Sequence, residues 1–228
     1  MRKKEFIRLY NKIGSRRGYS ELWYDLILII ACTISNLVDK SQYEQRLKRL
    51  EDTTARYSEE EQKIFLQLMS IIQTELQENP DQDFLGEIYT DLGLCKKSTA
   101  QFFTPYNISK MMAMMTLGNP AEEVKQRGFI TINDPCCGAG AMPIAAVNVC
   151  REQGVDISRD VLIVAQDIDS LVAMMCYIQL SLIDCAGYIL VGNTLTNETV
   201  SRENTWLLPG LFRQEWVDRD VMAVPKAA

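Results

Sequence analysis

Ile130-Thr131-Ile132-Asn133-Asp134-Pro135-Cys136-Cys137-Gly138-Ala139-Gly140-Ala141 is the stretch on which the fold turns. A short strand pattern ends in an acid, and a Gly-x-Gly turn then opens a helix. In a doubly wound sheet such a turn lies at the carboxyl ends of the strands, where ligands bind. Gly138 and Gly140 are expected to let the backbone pass close to a ligand, because a Cβ at either position would clash. The dinucleotide fingerprint is not met, since its third glycine is absent and Pro143 stands in that place.

Two similar junctions follow. Val164-Ala165-Gln166-Asp167-Ile168-Asp169 puts Asp167 after a second strand, one helix plus one strand beyond Gly138. A carboxylate there either accepts hydrogen bonds from both hydroxyls of a ribose or is a plain loop acid. Asp169 reads as the N-cap of the next helix. Val191-Gly192-Asn193-Thr194 closes a third strand, and Asn193 either meets an adenine ring or serves the turn. The apolar runs Phe129–Asn133, Val161–Gln166 and Tyr188–Val191 are separated by helical patterns at 140–153 and 169–186. Strand–helix–strand–helix–strand implies a parallel sheet with right-handed crossovers.

Upstream the pattern is helical. Gly14, Gly18, Pro80, Gly86 and Gly93 are the only glycines and prolines before residue 97. Ser58 and Glu61 form a capping box ahead of Ile64, Phe65, Leu68, Met69, Ile72 and Leu76, which recur at helical spacing. Thr104 before Pro105 suits the N-cap and first position of a Met-rich helix that Gly118 stops. The chain therefore divides into a helical N-terminal region, 1–97, and an α/β domain, 98–228.

Composition narrows the chemistry. There is no histidine among the 228 residues, which removes Ser-His-Asp and Cys-His nucleophiles and every His-ligated zinc site. No metal site is expected. The seven cysteines are odd in number and lack a CxxC, which suits reduced thiols packed in a cytoplasmic protein. A net charge of −6 means that any contact with nucleic acid is local. Residues 1–20 run against that balance, with seven Lys and Arg against Glu5. They are either the solvated lead of a buried helix or a basic arm touching phosphates or an acidic partner. The apolar run Leu26–Cys32 behind them mimics a signal peptide, but Asp25 interrupts it and it is short for a bilayer span, so no membrane role is expected.

Together these residues resemble the adenine-N6 DNA methyltransferases, and within them the modification subunit of type I restriction systems. The resemblance rests on Ala100-Gln101-Phe102-Phe103-Thr104-Pro105, Asp134-Pro135-Cys136-Cys137-Gly138-Ala139-Gly140, Gln166-Asp167-Ile168-Asp169 and Gly192-Asn193-Thr194-Leu195, in that order. With Phe84–Tyr89, which resembles the end of the family's helical N-terminal domain, it spans 83–197. It implies a Rossmann-like, S-adenosylmethionine (SAM)-dependent methyltransferase domain, doubly wound and truncated after its third strand unit. It further implies that Phe103, Thr104 and Pro105 close over the methionine end of SAM. Asp134, Gly138 and Gly140 would form the turn beneath it, Asp167 would hold the ribose, and Asn193, where the family usually has Asp, would sit beside the adenine amino group. The alternative for Phe102 and Phe103 is ordinary core.

The chain departs from the family in one respect. The family's catalytic (Asn/Asp/Ser)-Pro-Pro-aromatic element orients the amine of a flipped adenine and stacks on its ring. No Pro-Pro dipeptide occurs here, and Val224-Pro225-Lys226 stands where it would begin, after a candidate fourth strand at 220–225. The catalytic residues are therefore unknown. The expectation is a SAM-binding protein, inactive alone, that meets DNA weakly or through a specificity or complementing methyltransferase subunit. A homo-oligomer, a scaffold or regulatory module that keeps the cofactor fold, and a methyltransferase for another substrate are the alternatives.

Overall fold

The computed structural model describes residues 2–95, 103–196 and 201–219. The candidate strand at 220–225, the Val224-Pro225-Lys226 tripeptide and Phe102 lie outside them. Five helices lead the chain: α1 (Arg2–Arg17), α2 (Tyr19–Val38), α3 (Tyr43–Thr54), α4 (Glu59–Glu78) and α5 (Phe84–Asp91). The capping box at α4 forms as read, with Ser58 Oγ accepting from Glu61 N–H and Glu61 Oε2 from Ser58 N–H. Next come α6 (Tyr106–Thr116), α7 (Pro120–Arg127), β1 (Ile130–Asp134), α8 (Ala141–Glu152), α9 (Ile157–Asp160), β2 (Val161–Asp167), α10 (Ser170–Leu182) and β3 (Ala186–Val191). A short β4 (Thr205–Leu207) and α11 (Gln214–Asp218) follow. Pro105, not Thr104, caps α6, one residue later than the sequence suggests.

The sheet runs β1-β2-β3-β4, the first three strands parallel. Helices α8 and α10 pack on it. Leu162, Ala186, Leu207, Leu211 and Trp216 form a separate apolar cluster with Phe129, Tyr188 and Phe212. β4 pairs antiparallel with β3, a strand the sequence reading missed because three residues carry no period. β1 has no second strand partner among the described residues.

Helix α10 is buried all round, so it needs cover on the side away from the sheet, and α2 supplies it. Trp23 Nε1–H lies 3.5 Å from Met175 Sδ at that contact. α2 is 20 residues long and, by length and apolar composition alone, could cross a membrane; 61% of its apolar window is buried inside the protein. Its Asp25, 2% exposed, accepts hydrogen bonds from Arg56 and Tyr57, both at 2.6 Å. α1 is a packed helix rather than a free arm, with Phe6, Leu9, Tyr10 and Ile13 buried.

A buried ion pair joins the helices to β4. Arg46 of α3, 2% exposed, pairs with Asp39 at 3.1 Å and donates to Ser35 Oγ and to the Thr205 carbonyl, the latter at 2.7 Å. Its guanidinium stacks 4.2 Å from the Trp206 ring centroid. Removing one member of such a cluster strands a buried charge. Arg46→Ala should therefore cost on the order of 3–5 kcal/mol of stability, read as a lower urea midpoint.

Candidate functional site

The carboxyl ends of β1, β2 and β3 gather the loops that the sequence singled out. Asp134 pairs in register with Ala165, and Asp167 with Val191, so both acids leave the sheet at the same edge. The two glycines differ in what their missing side chains permit. Gly138 has φ +53°, and a Cβ on it would stand 3.3 Å from the Phe103 ring. Gly140 has φ +108°, and its Cβ would meet Cys176 of α10 at 3.1 Å. Gly138 thus lets the Phe103 ring come close, and Gly140 lets the turn seat on α10.

Asp167 is the clasp of the site. Its Oδ2 accepts from Gly138 N–H at 2.8 Å and its Oδ1 from Asp169 N–H at 2.9 Å. Both oxygens are therefore engaged by backbone, each keeping a free lone pair. The Cys137 N–H donates to the Gln166 carbonyl, which ties the turn to β2 a second time. Asp169 caps α10 by accepting from Leu171 N–H, as its sequence position suggested. Asn193 Oδ1 accepts from Leu195 N–H at 3.0 Å, which closes a turn of its own, and Thr194 Oγ donates to the Pro135 carbonyl.

Asp134 is different. One carboxylate oxygen accepts from Cys136 N–H at 3.1 Å, while Oδ2 is buried with no hydrogen-bond partner among the described residues. Burial holds this carboxyl above its ordinary range. Phe103 sits between Gly138 and Tyr89 of α5, its ring centroid 5.8 Å from that of Tyr89. Thr104 and Pro105 are exposed beside it. A cleft of about 680 Å³ runs along Phe103, Thr104, Pro105 and Gly86. Asp134, Gly138, Asp167 and Asn193 do not line it. A smaller cavity of about 70 Å³ joins Phe103 and Thr104 to the glycine turn.

Sequence reasoning missed Asp83 and Gln179, which lie against this turn. Gln179 of α10 donates to the Ala139 carbonyl at 2.9 Å and to Asp83 Oδ1 at 2.7 Å, and accepts from Leu85 N–H at 3.0 Å. Nothing in the sequence marks Gln179; only its position in an otherwise apolar helix sets it apart. No group of three or more Cys, Asp or Glu able to hold a metal ion occurs among the described residues.

A family profile, N-6 DNA Methylase, matches residues 81–210, more than half of the chain. The chain belongs to the N-6 DNA methylase family. The match opens just before Asp83 and takes in the glycine turn, Asp167, Asn193 and β4. It does not reach α1–α4. No curated protein matches the chain.

The raised Asp134 carboxyl has a consequence for stability. An acid raised in the folded state favours folding below its ordinary titration range and costs stability as pH climbs through and above it. Asp134→Asn keeps the acceptor for Cys136 and removes that cost. The urea midpoint should rise near neutral pH and stay unchanged at about pH 3, below the ordinary aspartate range.

Proposed function

We propose that this N-6 DNA methylase family member binds SAM at the glycine turn, resembles a type I modification subunit, and works in the reducing cytosol. β1–β3 would be one half of a doubly wound methyltransferase sheet. The observation that carries the reading is the orphaned Asp134 Oδ2, buried beside a glycine turn that shares a cavity of about 70 Å³ with Phe103. A buried acceptor without a donor costs stability unless a ligand supplies one. The residues present fit the cofactor. Asp167 keeps one lone pair on each oxygen for ribose hydroxyls, Asn193 Oδ1 keeps one for an adenine amino group, and Phe103–Pro105 would cover the methionine end. SAM, when bound, supplies the methyl group on its sulfonium.

No residue pair here matches the family's adenine-orienting element, since the 228 residues contain no Pro-Pro. We infer that this polypeptide does not by itself hold an adenine amine in line for transfer. Trp206 offers no substitute ring, because it lies 3% exposed between Tyr177 and Arg46. DNA contact would come through a specificity subunit, a complementing methyltransferase chain or a second copy. Part of the basic start is already paired, which leaves exposed Lys4, Arg8, Lys12 and Arg16 for weak, local contact. Arg2 pairs with Glu75 and Glu78, Lys3 with Glu87 and Asp91, and Arg17 with Glu61.

A second reading, a cofactor fold kept as a scaffold, is favoured by the backbone bonds that already engage both oxygens of Asp167. Calorimetry separates the two. SAM and S-adenosylhomocysteine should bind the wild type, and Asp167→Ala should cost on the order of 2–4 kcal/mol of binding. No heat and no thermal shift with millimolar SAM would leave the scaffold.

Transfer of labelled methyl from SAM to unmethylated DNA should stay at background for this polypeptide. Duplex DNA should bind weakly, with affinity falling steeply as salt rises in a filter assay. Multiple turnovers, or a sequence-selective nanomolar complex at physiological salt, would refute this part.

A further inference from the structure

Asp83 is a carboxylate in an unusual place. It caps α5, a role that Ser or Asn fills without charge. Yet it is 3% exposed, and no Lys or Arg lies within ion-pair distance of it among the described residues. Its charged neighbour is another acid, Glu87, whose own charge is taken by Lys3 at 3.0 Å. Oδ1 is fully used, accepting from Gly86 N–H at 3.0 Å and from Gln179. Oδ2 makes no hydrogen bond to the described residues.

The surroundings keep that carboxylate in position at a cost to the helix. A Cβ on Gly86 would stand 2.1 Å from Asp83 Oδ2, so only glycine fits in the first turn of α5, where glycine weakens a helix. Asp83 also lines the cavity of about 70 Å³ that it shares with Phe103, Thr104, Cys137 and Gly138. That cavity is too small for a nucleobase and large enough for an amino group. Gly138 N–H is clasped by Asp167 on one side of the turn, and the next residue's carbonyl is tied through Gln179 to Asp83 on the other. The two acids therefore bracket the turn, one toward β2 and one toward the helical region.

We propose that Asp83 is a cofactor-binding residue whose Oδ2 accepts a hydrogen bond from the α-ammonium group at the methionine end of SAM or S-adenosylhomocysteine. The inference rests on the cofactor reading above and adds to it a contact from the helical region. An ammonium brings the charge that Asp83 lacks and three donors for its free oxygen. Burial raises the Asp83 carboxyl, a cost that a bound cation would offset.

The test uses three ligands on the full chain by calorimetry: S-adenosylhomocysteine, its deaminated analogue, and methylthioadenosine, which has neither amine nor carboxylate. Wild type should prefer S-adenosylhomocysteine over the deaminated analogue by about tenfold to a hundredfold, as expected for a charge-assisted hydrogen bond. Asp83→Asn should reduce that preference to near unity and leave methylthioadenosine binding unchanged. Asp83→Ser, which keeps a side-chain cap for α5 without the charge, should do the same if Asp83→Asn does not fold. A preference retained in both variants overturns the proposal, as does equal weakening of all three ligands, the mark of a purely structural cap. Loss of the preference in Asp134→Asn but not in Asp83→Asn moves the contact to Asp134 and also overturns it. If wild type binds none of the three, the cofactor reading itself fails, and this inference fails with it.

Discussion

One buried amide holds the candidate site together. Gln179 is fully enclosed, and its side chain makes bonds to three separate stretches of chain: the Asp83 carboxylate, the Leu85 amide and the Ala139 carbonyl. An amide has both donors and acceptor, so it can satisfy a carboxylate and a carbonyl on one end and an N–H on the other. No apolar residue of that size could occupy the position without stranding three polar groups, each worth a desolvation penalty. The glycine turn is thus fixed from above by Asp167 and from the side by a helix of the N-terminal region. Of the N-terminal helices, α5 is part of the site's architecture, and the family match takes it in.

Much of this was legible in the sequence, for identifiable reasons. The three parallel strands announced themselves as apolar runs separated by helix-length patterns, and their ends carried Asp134, Asp167 and Asn193. The capping box at Ser58 and the cap at Asp169 are local chemistry, and local chemistry survives folding unaltered. What escaped was non-local. Gln179 acquires meaning only from residues 83, 85 and 139, and Arg46 only from Thr205 and Trp206. The roles of the two glycines also needed the fold, because the sequence alone does not say that Gly140 faces Cys176.

Charge gave the other lesson. Counting cations in the first twenty residues suggested an arm available to an anionic partner. Three of the seven cations, Arg2, Lys3 and Arg17, are already paired with acids of α4 and α5 that face α1. Surface pairs of this kind contribute little stability each. Their larger effect is to lower the local positive potential that long-range steering of a polyanion requires.

The Arg46 cluster bears on how the protein is made. Its acidic partner, Asp39, is a near neighbour in the chain, while the carbonyl and the ring that complete the cluster are at Thr205 and Trp206. A chain leaving the ribosome N-terminus first presents α2 and α3 long before those residues emerge. Until then the guanidinium has no ring to lie on, although α10, which covers the apolar face of α2, has already been made. Closure of the helical region's buried pair is therefore a late event in the chain, dependent on its last described strand.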